Sequence, residues 1–168
     1  FKIIQMNDEL QFFKPGQKVI DLGAAPGGWT QIAVDIIKPS VTGGRVVAID
    51  YLEMVDVAES TFIQLDFMDN TAPQLLKDAI GGKADVVLSD MAPPTIGHKS
   101  TDHLRIMALA EAAYEFSREV LNPGGTFLSK VFMGGTEKDL LNALKKDFLR
   151  VKHVKPHASR ADSAEMYV

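Results

Sequence analysis

The feature that most restricts this chain is an alternation between two kinds of apolar spacing. Short runs rich in β-branched and aromatic residues recur as "QKVIDL" (17–22), "RVVAID" (45–50), "TFIQL" (61–65), "ADVVLS" (84–89) and "GTFLSKVF" (125–132). Each is too short for a buried helix and too continuously apolar for a half-exposed strand, so each reads as a strand buried on both faces. Helical spacing fills the intervals, over 28–37, 71–80, 102–121 and 136–148, with "KPG", "TGG", "GGK" and "NPGG" punctuating the joins. Strand and helix alternating in this way require right-handed crossovers and a sheet covered on both sides. The predicted class is therefore α/β, a doubly wound, mostly parallel sheet. After the last helix, "RVKHVKP" (150–156) and "EMYV" (165–168) are separated by "HASRADSA", too short for a crossover helix, so these two segments are expected to form an antiparallel hairpin at the sheet edge.

With 168 residues, 46% of them hydrophobic, the chain is sized for one domain and one core, 1–168. It opens abruptly on "FKIIQMNDEL" and stops on the strand-like "SAEMYV", which reads as trimming at both ends. The sequence has no cysteine, which excludes a disulfide framework, a thiolate metal site and thiol redox chemistry. No apolar run approaches the roughly 20 residues of a membrane span and no signal pattern opens the chain, so a soluble, cytoplasmic protein is expected. Net charge is −4, but 138–160 carries seven Lys or Arg against Asp139 and Asp147, a local +5 that leaves −9 elsewhere. That segment is either a solvated face or a phosphate-facing one.

Ligands of open parallel sheets bind beyond the carboxyl ends of the strands. Here those ends carry Asp21 and Gly23, Asp50, Asp66, Asp90 and Lys130. Five strand ends with polar or glycine positions in register along one edge describe a lined cleft. At the first of them, "VIDLGAAPGGW" follows the strand with residues that leave the turn bare: Gly23, Ala24 and Ala25 admit a close ligand, Pro26 pre-sets a helical first turn, and Gly27 and Gly28 follow. Trp29 behind them is a core anchor or part of the cleft wall.

A dinucleotide site is the obvious rival, since "GAAPGG" loosely fits the glycine fingerprint and Asp50 ends the second strand. Pro26, however, removes an N–H from the turn that would cradle a pyrophosphate, and Asp66 and Asp90 would repel phosphates. Acids suit a ligand bearing a ribose, an adenine and a positive charge, which describes S-adenosylmethionine.

"DLGAAPGGW", "SDMAP" (89–93), "LNPGGTFLSKVF" (121–132) and "KPHASRADSAEMYV" (155–168) occur in that order. With them the chain resembles, over nearly its whole length, the FtsJ/RrmJ family of RNA 2′-O-ribose methyltransferases. The resemblance implies a Rossmann-like methyltransferase fold and a Lys-Asp-Lys-Glu tetrad on Lys2, Asp90, Lys130 and Glu165. It implies donor contacts from Gly27, Trp29, Asp50, Asp66 and Asp90, with Asp50 on the ribose hydroxyls and Asp66 on the adenine amino group, which moves Trp29 toward the site. It implies as substrate a uridine ribose of large-subunit ribosomal RNA, acted on in the assembled subunit, with no membrane partner and a monomeric enzyme. Two departures stand out: Pro93-Pro94 replaces the family's Pro-Asn, and only Phe1 precedes Lys2 where family members carry basic residues.

Methyl transfer from a sulfonium to oxygen asks the protein for placement and for removal of the hydroxyl proton. Lys130, inside an otherwise apolar strand, suits a neutral-amine base; Asp90 at the next strand end would orient the ammonium or the substrate. Glu165 would accept a hydrogen bond and Lys2 would supply a second cation. Taken singly, Lys130 is a strand-end lysine reaching water, Glu165 an edge acid and Lys2 a solvated first-turn residue. His98, His103, His153 and His157 form no ligand spacing with carboxylates, and the chemistry needs no metal. An exocyclic-amine methyltransferase would need an aromatic residue after Pro94, where Thr95 stands. An RNA-binding assembly module without turnover is the remaining alternative, against which the complete tetrad argues.

Overall fold

The structure, a computed structural model, describes residues 2–92, 99–132, 137–155 and 165–168, with the backbone alone at 99, 100, 132, 137, 165 and 166. Five strands lie parallel: β1 (Lys18–Leu22), β2 (Arg45–Asp50), β3 (Thr61–Gln64), β4 (Ala84–Ser89) and β5 (Leu121–Phe132). A sixth, β6 (Glu165–Tyr167), runs antiparallel to β5, and the order across the sheet is β3-β2-β1-β4-β5-β6. The crossovers contain α2 (Gly28–Ile37), the short α3 (Pro39–Thr42), α4 (Ala72–Ile80) and α5 (Lys99–Val120); α1 (Lys2–Leu10) precedes β1 and α6 (Glu137–Asp147) follows β5.

Alternation along each strand divides the core in two. Ile20, Leu22, Val47, Ile49, Val87, Phe127 and Val131 face one layer, where Leu76, Ile80, Met107, Ala113 and Leu140 of α4, α5 and α6 meet them. Val19, Val46, Val86 and Leu128 face the other, covered by Ile3 and Met6 of α1 and Ala33, Val34 and Ile37 of α2. Most of these side chains have under 5% exposure, as a sheet buried on both faces requires. Hence the strands read as continuous apolar runs.

Strand β5 begins at Leu121, four residues before the expected start. Its register against β4 jumps between the pairs Ala84↔Leu121 and Val86↔Thr126, so the Pro123-Gly124-Gly125 run bulges within the element. The helix α1 was not expected; Ile3 and Met6, three apart and fully buried, carried its signal. The antiparallel contact between the two C-terminal segments is present as one bridge, Val154↔Tyr167. Tyr167 and its neighbours have β5 as their longer partner, with Lys130↔Tyr167, Val131↔Met166 and Phe132↔Glu165 in register. The linking segment 156–164 and Pro93-Pro94 lie outside the described residues.

Candidate active site

Beyond the carboxyl ends of the strands lies a cleft of about 710 Å³ lined by Gly23, Ala25, Asp50, Asp66, Asp90 and Lys130, with Tyr51, Phe67, Met68, Met91 and Arg105 among the other wall residues. This volume is in the range of small-molecule sites. Of the eight residues expected to serve as tetrad or donor contacts, four line it directly: Asp50, Asp66, Asp90 and Lys130.

Asp50 ends β2 and is 9% exposed. Its two oxygens accept backbone N–H bonds from different loops, Oδ2 from Ala25 at 2.9 Å and Oδ1 from Leu52 at 3.0 Å. The first ties the carboxylate to the glycine-rich turn; the second closes the turn after β2. Each oxygen keeps lone-pair capacity for a ligand hydroxyl. Asp66 follows β3, with Oδ1 accepting from Met68 N–H at 2.9 Å in a local turn, and is exposed to the cleft.

The glycine-rich turn is built by close approach. A Cβ on Gly23 would stand 2.7 Å from Met91 Cγ and 2.9 Å from Met91 Cα, so only glycine lets the first turn pass the end of β4. Gly27 has φ +117 and a Cβ there would meet Met54 Sδ at 3.3 Å, so this position needs glycine for conformation and is tight for space. Gly27 packs under the loop after β2, and the turn's Pro26, preceded by a cis bond, lies before the helix that starts at Gly28. Trp29 is half-buried, its ring 5.6 Å from that of Tyr167, on the α1/α2 side. Neither Gly27 nor Trp29 is part of the cleft wall.

All five strand ends reach the cleft as expected, but Asp21, expected there beside Gly23, does not. It lies on the α2 face of β1, fully buried, where Thr30 Oγ1 donates to Oδ2 at 2.8 Å and Oδ1 has no hydrogen-bond partner among the described residues. Burial pushes its carboxyl up to about 7 from 3.8; the Thr30 bond opposes this, and the nearby charges of Asp90 and Asp50 add to it. Gly23 is the β1-end residue that reaches the cleft.

On the other half of the edge, Lys130 Nζ lies 3.2 Å from Asp90 Oδ1, with side-chain exposures of 12% and 30%. Two groups on adjacent strands meet because β4 and β5 pair in register up to Ser89↔Ser129. Lys130 follows Leu128 by two residues and so shares its face of the sheet, the face that α1 and α2 cover. Lys2, half-buried at the start of α1, belongs to that layer but does not line the cleft. Glu165 is placed by register opposite Phe132, and its side chain is outside the described residues. The structure thus brings together Asp90 and Lys130 of the four. It adds Tyr167, which sequence reading passed over: 1% exposed, it donates its hydroxyl to Asp90 Oδ1 at 2.9 Å. The signal available was its place two residues after Glu165 in the same short strand.

A sheet wound in this order, a glycine turn passing the fourth strand, and an acid-lined cleft with one lysine define the class of Rossmann-like methyltransferases. The family model described as FtsJ-like methyltransferase matches residues 1–168, and the chain belongs to that family. It is 56% identical over 175 residues to a protein of Parvibaculum lavamentivorans named Ribosomal RNA large subunit methyltransferase E, covering all of this chain and 69% of the relative. It is 57% identical over 171 residues to the protein of the same name from Paramagnetospirillum magneticum, covering 100% and 70%. Among solved structures, one named as a ribosomal RNA methyltransferase from Plasmodium falciparum superposes with a TM-score of 0.85 at 28% identity, covering 99% of this chain and 91% of that one. A Streptococcus mutans protein named as a methyltransferase and solved with SAH shares the fold, with a TM-score of 0.60 at 16% identity and coverage of 99% and 94%.

Proposed function

We propose that this methyltransferase transfers the methyl group of S-adenosylmethionine to the 2′-hydroxyl of a uridine ribose in large-subunit (23S) ribosomal RNA, within the large subunit. The observation that carries the reading is the Lys130–Asp90 pair, an amine and a carboxylate joined at 3.2 Å in the wall of a cleft whose other end holds Asp50 and Asp66. The names of the relatives support ribosomal RNA as the acceptor. The donor set fits a cationic nucleoside: Asp50 retains lone pairs for ribose hydroxyls, Asp66 is open for an adenine amino group, and Phe67 and Met91 give apolar walls. S-adenosylmethionine, when bound, supplies an activated methyl group on a positive sulfur.

The chain's own residues then have one task, to place the acceptor hydroxyl in line and take its proton. Lys130 receives that proton as a neutral amine, and Asp90 then stabilises the resulting ammonium. Lys2, on the layer that Lys130 faces, supplies a second cation near the acceptor, and Glu165 an acceptor from β6. Gly27 keeps the turn open to the donor, and Trp29 backs it. The basic segment 138–160 meets RNA phosphates; its described residues Lys145, Lys146, Arg150 and Lys152 are exposed. No metal is assigned a role, and the enzyme acts as a cytoplasmic monomer. Large subunits from a strain lacking the enzyme, incubated with the protein and labelled donor, should gain a 2′-O-methylated uridine on nucleoside analysis. Label on a base amine would point to the exocyclic-amine reading, and donor binding without label in RNA to an assembly module.

A further inference from the structure

We infer that Tyr167 is a positioning residue for the transfer step, holding Asp90 so that one carboxylate oxygen is presented to Lys130; this rests on the proposed function. Asp90 Oδ1 accepts from the Tyr167 hydroxyl at 2.9 Å and lies 3.2 Å from Lys130 Nζ. An aspartate just past a strand end has two side-chain torsions to settle, and a paired lysine, itself long and mobile, does not settle them. A phenol on a fixed ring does. The residue is buried and its main chain is anchored: Tyr167 is 1% exposed, stands opposite Lys130 in the β5–β6 register, and exchanges backbone bonds of 2.8 and 2.9 Å with Val154. The ring of Trp29, two residues beyond Gly27, packs against the Tyr167 ring with centroids 5.6 Å apart.

The arrangement links the two ends of the cleft. The glycine turn that lies against the donor end carries Trp29, Trp29 abuts Tyr167, and Tyr167 holds Asp90. A buried tyrosine does require a partner for its hydroxyl, so a purely structural role would also produce a hydrogen bond. The two roles differ in what Tyr167→Phe does. Phenylalanine keeps the ring against Trp29 and removes the hydroxyl's bond to Asp90.

If Tyr167 acts through Asp90, Tyr167→Phe should lower single-turnover methylation of large subunits at least 10-fold at saturating donor. The KM for subunits and the Kd for S-adenosylhomocysteine should stay within twofold of wild type. In an Asp90→Asn background, the same change should cost less than twofold more. A Tyr167→Phe enzyme as fast as wild type, a loss expressed in KM or donor affinity, or losses that multiply in the double variant would each overturn the inference. Wild-type protein that transfers no methyl group to the subunits would sink the proposed function and this inference with it. Wild-type turnover with an unimpaired Tyr167→Phe sinks the inference alone.

Discussion

The two halves of the cleft are assembled differently. On the β1–β2–β3 side, each acid is held by main-chain N–H groups close in sequence or one crossover away, Ala25 and Leu52 for Asp50 and Met68 for Asp66. On the β4–β5–β6 side, side chains hold side chains: Lys130 and Tyr167 converge on Asp90, the tyrosine from 77 residues away. Main-chain donors tolerate sequence change, because any residue brings its N–H. Side-chain donors do not, so the half proposed to hold the donor is robust to substitution where the half proposed to move the proton is brittle.

The sharpest break of this contrast is at Lys130. Lys130→Ala should lower turnover by about 10²–10⁴ with donor affinity nearly intact, and Lys130→Arg should not restore it, because a guanidinium stays protonated at working pH. Wild-type single-turnover rates should rise with pH and then level; an arginine variant within a few-fold of wild type at every pH would remove the base role. The complementary break is Asp50→Ala, which should weaken donor binding by about 1.5–3 kcal/mol, the worth of hydrogen bonds to a charged group. Turnover at saturating donor should change far less, and calorimetry should find NAD unable to compete.

Asp21 probes the ground between the halves. Its folded-state value of about 7 is above the ordinary 3.8, so the native state keeps a proton that the unfolded chain releases between them. Stability therefore falls as pH rises from about 4 to 7, and the loss is complete above 7. Asp21→Asn should raise stability at pH 8 by on the order of 1–3 kcal/mol and confer little advantage near pH 4, as read by denaturant melts at the two pH values. The smallest effect concerns neither half. Charge reversal at Arg150 and Lys152 should weaken RNA binding and flatten its log–log salt slope by about 1–2. An unchanged slope would return the basic segment to a solvated face.

How much of this was legible depended on distance along the chain. Strand β2 and helix α2 fell at 45–50 and 28–37 as expected, because apolar spacing and the small-residue turn are local signals. The cleft acids Asp50, Asp66 and Asp90 followed, since a parallel sheet puts successive strand ends on one edge. Asp21 misled for the same reason the strands were easy to see. A strand covered on both faces offers no polar side, so a carboxylate within it sits under a helix as readily as in the cleft. The "EMY" strand was recognisable, but its main partner was not, because pairing with β5 in preference to 150–156 is decided by contacts across the sheet. Tyr167 was hidden with it: in "EMYV" a tyrosine reads as core, and its hydroxyl's partner has no neighbour in sequence to announce it.

The seat of Tyr167 between β5 and Val154 also sets an order in time. As the chain leaves the ribosome that synthesises it, β1 to β5 can pair and the cleft's acids can take their places while 165–168 is still in the exit tunnel. Long-range pairings form late because the loop must close first. Until β6 slides in beside β5, Asp90 lacks its phenol and β5 presents a bare edge of N–H and C=O groups to any passing strand. One three-residue strand therefore both brings the phenol to Asp90 and covers that edge, so a half-made molecule with its β1–β3 acids already in place still lacks the contact that completes the β4–β5 side.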